Sequence, residues 1–165
     1  MTKDAEARMA ALEERLQRLE DLAAIQQIVM AYGPAADSGS LTEAPALWEE
    51  DGVYDVSGLP VMEGRAAIEE MLHQPGHQNA IGDGCAHILT PPQITLEGDE
   101  ATGRSHSIIR WNAEAQQFFV FRLSSTAWHW RRTAEGWRIA NRTNRLLDGA
   151  AAARELFAKP APRGV

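Results

Sequence analysis

Five side chains are of types that could assemble an acid–base site: Asp37, Tyr54, His87, His106 and Arg142. A carboxylate that accepts from one imidazole nitrogen fixes the ring's tautomer and raises the basicity of the other, so a paired aspartate and histidine make a general base near neutral pH. Each residue also has an ordinary structural use. An aspartate in a turn caps a helix, a histidine in a strand packs or faces water, and a strand arginine is a surface cation. Taken singly those uses are the commoner ones, and only placement together would favour the chemistry.

Other chemistries are disfavoured by what the chain lacks. It contains no G-x-S-x-G, no phosphate-cradling glycine loop, no C-x-x-C and no H-E-x-x-H, which argues against a nucleophile-elbow hydrolase, phosphoryl transfer, a Rossmann cofactor and a zinc hydrolase. No cofactor is expected. His73 and His77 have the spacing of helical neighbours, but Pro75-Gly76 between them should break the helix that would align them, so no metal site is expected either. The single cysteine, Cys85, has no disulfide partner and reads as a buried filler in a reducing compartment. A net charge of -7 opposes binding to nucleic acid, and the eight arginines from Arg104 to Arg145 read as solvated strand edges and ion pairs. With 44% hydrophobic and 24% charged residues the composition is that of a globular protein. No stretch approaches a membrane span, and the charged Met1 to Arg8 is not followed by a signal-like apolar run, so a cytoplasmic location is expected.

The elements that must position these residues follow from periodicity. Ala5 to Tyr32 predicts one long helix, free of Gly and Pro. Met9, Leu12, Leu16, Leu19 and Ala23 draw a narrow coiled-coil seam on it, suited to a partner helix of another subunit, and Leu22, Ile25, Val29 and Tyr32 form a second stripe toward the domain's own core. Gly33-Pro34 should end or kink the helix, which would displace Asp37. A short helix is expected from Leu41 to Glu50 with Leu47 and Trp48 inward, a strand at Val53 to Val56, a turn at Ser57 to Pro60 and a helix at Arg65 to Leu72. His73 to Gly84 reads as a loop that could act as a lid. Four strands follow, at Cys85 to Leu96, Ala101 to Trp111, Phe118 to Arg132 and Trp137 to Arg145. Short turn-like separators should make them antiparallel neighbours. Helices first and a meander afterwards is an α+β order. Strict alternation in the last strand puts Trp137 and Ile139 on one face and Arg142 on the other, unless a bulge re-aims it. The face carrying Arg104, His106 and Arg110 is either a second pocket wall or a wet one. The tail from Leu146 holds an alanine-rich patch suited to a short helix. Residues 1–20 are taken as a helical extension, 21–148 as the domain and 149–165 as the tail.

Five segments in this order, AIQQIVMAYGPAADSGS, ALWEEDGVYDVSG, MEGRAAIEEML, AHILTPPQITLEGDEATGRSH and WHWRRTAEGWRIANR, resemble the SnoaL-like branch of the nuclear-transport-factor-two-like superfamily. Within it the chain is most similar to the subgroup with scytalone dehydratase and hexachlorocyclohexane dehydrochlorinase. The resemblance spans about residues 20 to 145. It implies a cone-shaped, strongly curved mixed sheet wrapped around helices, a cystatin-like α+β barrel with a deep pocket. By position Asp37 matches an aspartate that orients the proton-abstracting histidine, and His87 matches that histidine. Arg142 matches a pocket arginine that stabilises a departing anion, and Tyr32 and Tyr54 match phenols of the dehydratases. His106 would be a second pocket histidine, and Trp48 is added to the substrate wall.

The expected function is a cofactor-independent lyase or isomerase acting on an apolar cyclic small molecule, with loss of water or halide after proton removal. A polyketide-cyclase-like enzyme, in which Asp37 itself is the acid or base, is the nearest variant. A binding or accessory protein that holds a ligand without turning it over is the alternative from another class. A third reading takes the seam from Met9 to Ala23 as the working surface of an assembly module. The expected partners are an apolar small-molecule ligand and further copies of the chain, as a dimer or trimer, with no nucleic acid and no membrane.

Overall fold

The computed structural model describes residues 2–113 and 117–158, without the side chains of 108–113, 117 and 118. The expected side chains of Arg110 and Trp111, Glu114 of the expected turn, and the end of the tail at 159–165 therefore lie outside the described residues. Helices α1 (Lys3–Asp37), α2 (Arg65–His73), α3 (Pro75–Asp83) and α4 (Ala151–Ala158) accompany seven strands. These are β1 (Trp48–Val56), β2 (Met62–Glu63), β3 (Cys85–Leu89), β4 (Gln93–Glu97), β5 (Glu100–Ala113), β6 (Gln117–Thr133) and β7 (Gly136–Leu146). They form one mixed sheet of order β2-β1-β7-β6-β5-β3, with β4 also on β5. Among the described residues only β1 and β7 pair in parallel, and every other pairing is antiparallel. The long strands curl into the expected half-barrel, with α1 across its concave face.

The second half of α1 holds the core, through Ile25, Val29, Tyr32 and Ala36 packed on Trp48, Trp130 and Ile139. Asp21 ties this helix to the β6–β7 hairpin by accepting from Trp137 Nε1 at 3.0 Å and from Arg132 Nη2 at 2.6 Å. Residues 2–20, in contrast, are exposed throughout.

Four expectations need correction. Gly33-Pro34 does not end α1, which runs on to Asp37 and closes with the Ser38 N–H donating to the Pro34 carbonyl at 2.9 Å. A proline inside a helix costs about 3 kcal/mol, and packing against β3 offsets it. Gly33 lets the two backbones meet, since a Cβ there would lie 2.3 Å from the His87 carbonyl oxygen. The helix expected at Leu41 to Glu50 shrinks to a 3-10 turn at Pro45–Leu47, because Trp48 already pairs with Ile139 of β7 as the start of β1. Cys85 to Leu96 is two strands, interrupted by Thr90-Pro91-Pro92, where prolines cannot supply ladder donors. His73 to Gly84 is not a loop: Pro75 takes the first turn of α3, where its missing N–H has no intrahelical partner to lose.

Candidate active site

The last residue of α1 and the middle of β3 meet because Gly33 allows that close approach. Asp37 Oδ2 accepts the backbone N–H of His87 at 2.8 Å, and Oδ1 lies 2.5 Å from His87 Nδ1. Two bonds to one residue fix both the strand and the ring. With the carboxylate ionised the bond requires the proton on Nδ1, which leaves Nε2 with its lone pair free. The side chains are only 14% and 22% exposed for His87 and Asp37, so bulk water competes weakly for them. Cys85, two residues earlier on the same strand, is half-buried rather than fully buried and points its Sγ at Asp37 Oδ1, 3.7 Å away. Burial, followed by the charge of Asp37, pushes its thiol up to about 11, which leaves it a donor and a poor nucleophile. Asp37, Cys85 and His87 bring three potential ligand atoms within 4.8 Å of one another. The oxygens and Nδ1 are engaged with each other and the sulfur stays protonated, so the group is better described as a hydrogen-bonded dyad with a thiol beside it.

His87 opens on a cavity of about 470 Å³ between the concave sheet, the end of α1 and the α2–α3 pair, with Tyr32, Met71 and Phe121 among its walls. Arg142 reaches the same cavity. The pairing of β6 with β7 skips Ala140, since Trp130 faces Ile139 and His129 faces Asn141. This bulge reverses the alternation, and Arg142 lands on the face of Trp137 and Ile139. The residue is 1% exposed, with its guanidinium carbon over the rings of Tyr32 (4.0 Å), Trp128 (4.4 Å) and Tyr54 (4.9 Å). Nε and Nη1 have no hydrogen-bond partner. Burial pushes the Tyr54 phenol well above its usual range. Its oxygen accepts from Asn144 Nδ2 at 3.1 Å, and the Asn144 carbonyl is held in turn by Thr126 Oγ1 at 2.7 Å.

The structure thus brings together Asp37, His87, Tyr32, Tyr54 and Arg142. It does not bring the other two candidates to the cavity. Trp48 is fully buried behind the tyrosines, 5.7 Å from the Tyr32 ring and 5.6 Å from that of Tyr54, and packs in the core instead of lining the void. His106 lies on the outer face, its ring 4.9 Å from Phe157 of α4, because Ser105 and Ser107 take the inward positions of β5.

Sequence reasoning missed His77, Arg122 and Asn144, which all line the cavity. Asn144 stands two residues beyond Arg142 and shares its face, and reading Pro75 as a helix start would have turned His77 inward. The His77 ring lies 5.8 Å from that of His87, and both its nitrogens are buried without a hydrogen-bond partner. Burial first, then the neighbouring His87, lowers its pKa from 6.5. A histidine whose folded pKa is depressed contributes stability that is present above the unfolded pKa and lost as pH falls through the folded one. Urea unfolding from pH 7.5 to 5 should therefore show stability declining toward acid, and the decline should be shallower in His77→Gln. Equal slopes in the two proteins would mean that His77 titrates normally.

A SnoaL-like domain profile matches residues 17–143. Among solved structures, a nuclear-transport-factor-two-like protein with a cystatin-like fold from Novosphingobium aromaticivorans is 45% identical, with a TM-score of 0.86 over 88% of this chain and 94% of that one. A protein of unknown function from Mycobacterium tuberculosis is 22% identical, with a TM-score of 0.72 over 87% of this chain and 79% of that one. The hexachlorocyclohexane dehydrochlorinase LinA-type3 from Novosphingobium barchaimii is 17% identical, with a TM-score of 0.70 over 81% of this chain and 90% of that one, a likeness of fold. No curated protein matches the chain. No described helix is long and apolar enough to cross a membrane.

Proposed function

The chain belongs to the SnoaL-like domain family, and from that premise we propose that it is a cofactor-independent lyase or isomerase whose general base is His87. The observation that carries this reading is the pair of hydrogen bonds between Asp37 and one residue, its carboxylate holding both the backbone N–H and the Nδ1 of His87. A packing histidine has no need of a half-buried carboxylate behind it and a void before it. His87 Nε2 would take a proton from a carbon of the ligand, and the imidazolium formed would be stabilised by Asp37. Electrons from the broken C–H bond would form the new double bond as halide leaves, or as a hydroxyl group leaves and takes the proton back from the His87 imidazolium to depart as water, or would move to a carbonyl oxygen in an isomerisation. Tyr54 and Arg142, which line the same cavity, would stabilise the negative charge. The lid role expected of the segment at 73–84 passes to α3, whose His77, Gly76 and Ala80 close one side of the void and would limit water access. The dehydrochlorinase among the structural relatives acts by name on a halogenated ring, which supports including such rings in a first screen.

The test is a screen in deuterium oxide of cyclic β-hydroxy ketones and chlorinated cyclohexanes. Release of water or halide, or deuterium entry into recovered ligand, is expected for at least one compound and should vanish in His87→Gln. A compound that binds in the cavity but neither reacts nor exchanges would move the reading to a ligand-holding protein.

Assembly is proposed to rest on a different part of the chain. Met9, Leu12, Leu16 and Leu19 are 51–64% exposed along one stripe of α1, the arrangement of a helix awaiting another. Deleting residues 1–20 is expected to reduce the oligomer to monomers in sedimentation while ligand affinity persists. Unchanged assembly after the deletion would place the subunit contact elsewhere.

A further inference from the structure

Three arginines of the sheet form ion pairs with carboxylates. Arg131 pairs with Glu49 and Glu100, Arg132 with Asp21 and Asp99, and Arg145 with Asp55. The two that line the cavity, Arg122 and Arg142, have no carboxylate partner among the described residues. Arg122 gives one nitrogen to the Ser57 carbonyl at 2.7 Å, and the Arg142 guanidinium lies against ring faces. Ring faces attract a cation far less than an opposite charge does and leave Nε–H and Nη1–H of Arg142 without acceptors. No acidic residue is among the described lining residues. The nearby carboxylate, Asp37, is committed to His87.

The charge count decides what ligand suits this wall. Asp37 offsets one of the two guanidinium groups and leaves the site with an excess of one positive charge. Proton transfer from a neutral ligand to His87 leaves that total unchanged, because the proton stays in the site. A neutral substrate would therefore react beside an uncompensated buried cation, which is costly to keep from water. A monoanion brings the sum to zero. Both arginines act on the Tyr54 phenol, and burial lowers the pKa of Arg122, yet a guanidinium stays charged in a protein.

We propose that the cavity takes an acid, a ring-sized apolar molecule carrying one carboxylate, with the carboxylate on the Arg122–Arg142 wall and the apolar body reaching toward His87. This rests on the reading of the cavity as the ligand site given above and amends the expectation of a purely apolar ligand. Arg142 and Arg122 would both meet the carboxylate, and the body would lie against Phe121 and Met71.

Isothermal titration of the full-length protein with cyclohexanecarboxylate and with its neutral isostere, cyclohexanecarboxamide, tests the proposal without any turnover. The carboxylate is expected to bind at least about tenfold more tightly. Most of that preference should disappear in Arg122→Gln and in Arg142→Met. Arg122 is half-buried, so its variant remains informative if the fully buried Arg142 cannot be replaced without loss of folding. Equal affinity for acid and amide, or a preference that survives Arg122→Gln, would overturn the proposal. Carboxylate binding in a protein that catalyses no elimination or exchange would uphold this site while removing the enzymatic reading. Turnover of neutral rings with no preference for the acid would do the reverse.

Discussion

Replacing His87 by glutamine is expected to lower kcat on any reactive ligand by about 10²–10⁴-fold, the range that a positioned general base supplies, with little change in KM. The amide cannot take the proton, but it has similar size and polarity, so the cavity should keep its shape. Asp37→Asn should cost nearly as much. Its amide retains one oxygen, enough to accept the His87 backbone N–H, and presents either a donor or nothing useful to Nδ1. The ring would then favour the tautomer with its proton on Nε2, the nitrogen that must be free. A wrong tautomer in an otherwise intact geometry lowers turnover by about 10⁴-fold in the serine-protease case from which the argument is taken. The double variant should be scarcely worse than either single one, since the two residues act as a unit. Steady-state kinetics on the four proteins is the measurement, with circular dichroism to show that each is folded. If Asp37→Asn alone kept full activity, the dyad would be a structural tether and not a catalytic pair.

Gly33→Ala is the second large effect, and its sign separates two levels of physics. Helix propensity alone says that alanine should stabilise α1 by roughly 0.5–1 kcal/mol. The tertiary structure says the opposite. The new Cβ would lie 2.3 Å from the His87 carbonyl oxygen, and a backbone carbonyl in a paired strand cannot swing aside as a side-chain tip can. Either β3 moves out or α1 bends, and such overpacking costs about 1–3 kcal/mol. Because the clash is with the residue that carries the base, displacement should also lengthen the bonds between Asp37 and His87 and depress kcat. Gly82→Ala is the control: it sits inside α3 with nothing within 4 Å of the added Cβ, and should gain the small helical increment. Urea denaturation reads both changes. A Gly33→Ala protein as stable as its parent would show that the contact of α1 with β3 is looser than the structure places it.

Much of the fold was legible because it rests on local patterns. The stripe Ile25, Val29, Tyr32 is a helical face whether or not its partner is known, and the turn residues of the later half leave antiparallel pairing as the economical solution. The failures share a different cause. A proline and good helix formers precede Trp48 and favour a helix there, but its pairing with Ile139, ninety-one residues away, outweighs a weak local preference. By local preference Pro34 and Pro75 are both helix breakers. One is carried by packing against β3, and the other opens a helix, so the same residue type had two outcomes set by its surroundings.

By itself the sequence determined the long first helix, the α+β order, the family resemblance and, through it, the pairing of Asp37 with His87. These depend on periodicity and on motif order, which a single chain displays in one dimension. Only the tertiary structure decided which side chains face the cavity. Arg142 points inward because β7 holds one extra residue at Ala140 against β6. His106 points outward because its neighbours Ser105 and Ser107 take the inner positions. His77 meets His87 because α3 folds over the opening. In a strand a shift of one residue exchanges the two faces, and the free energy that sets that shift comes from the partner strand, so no reading of the strand alone could have contained it.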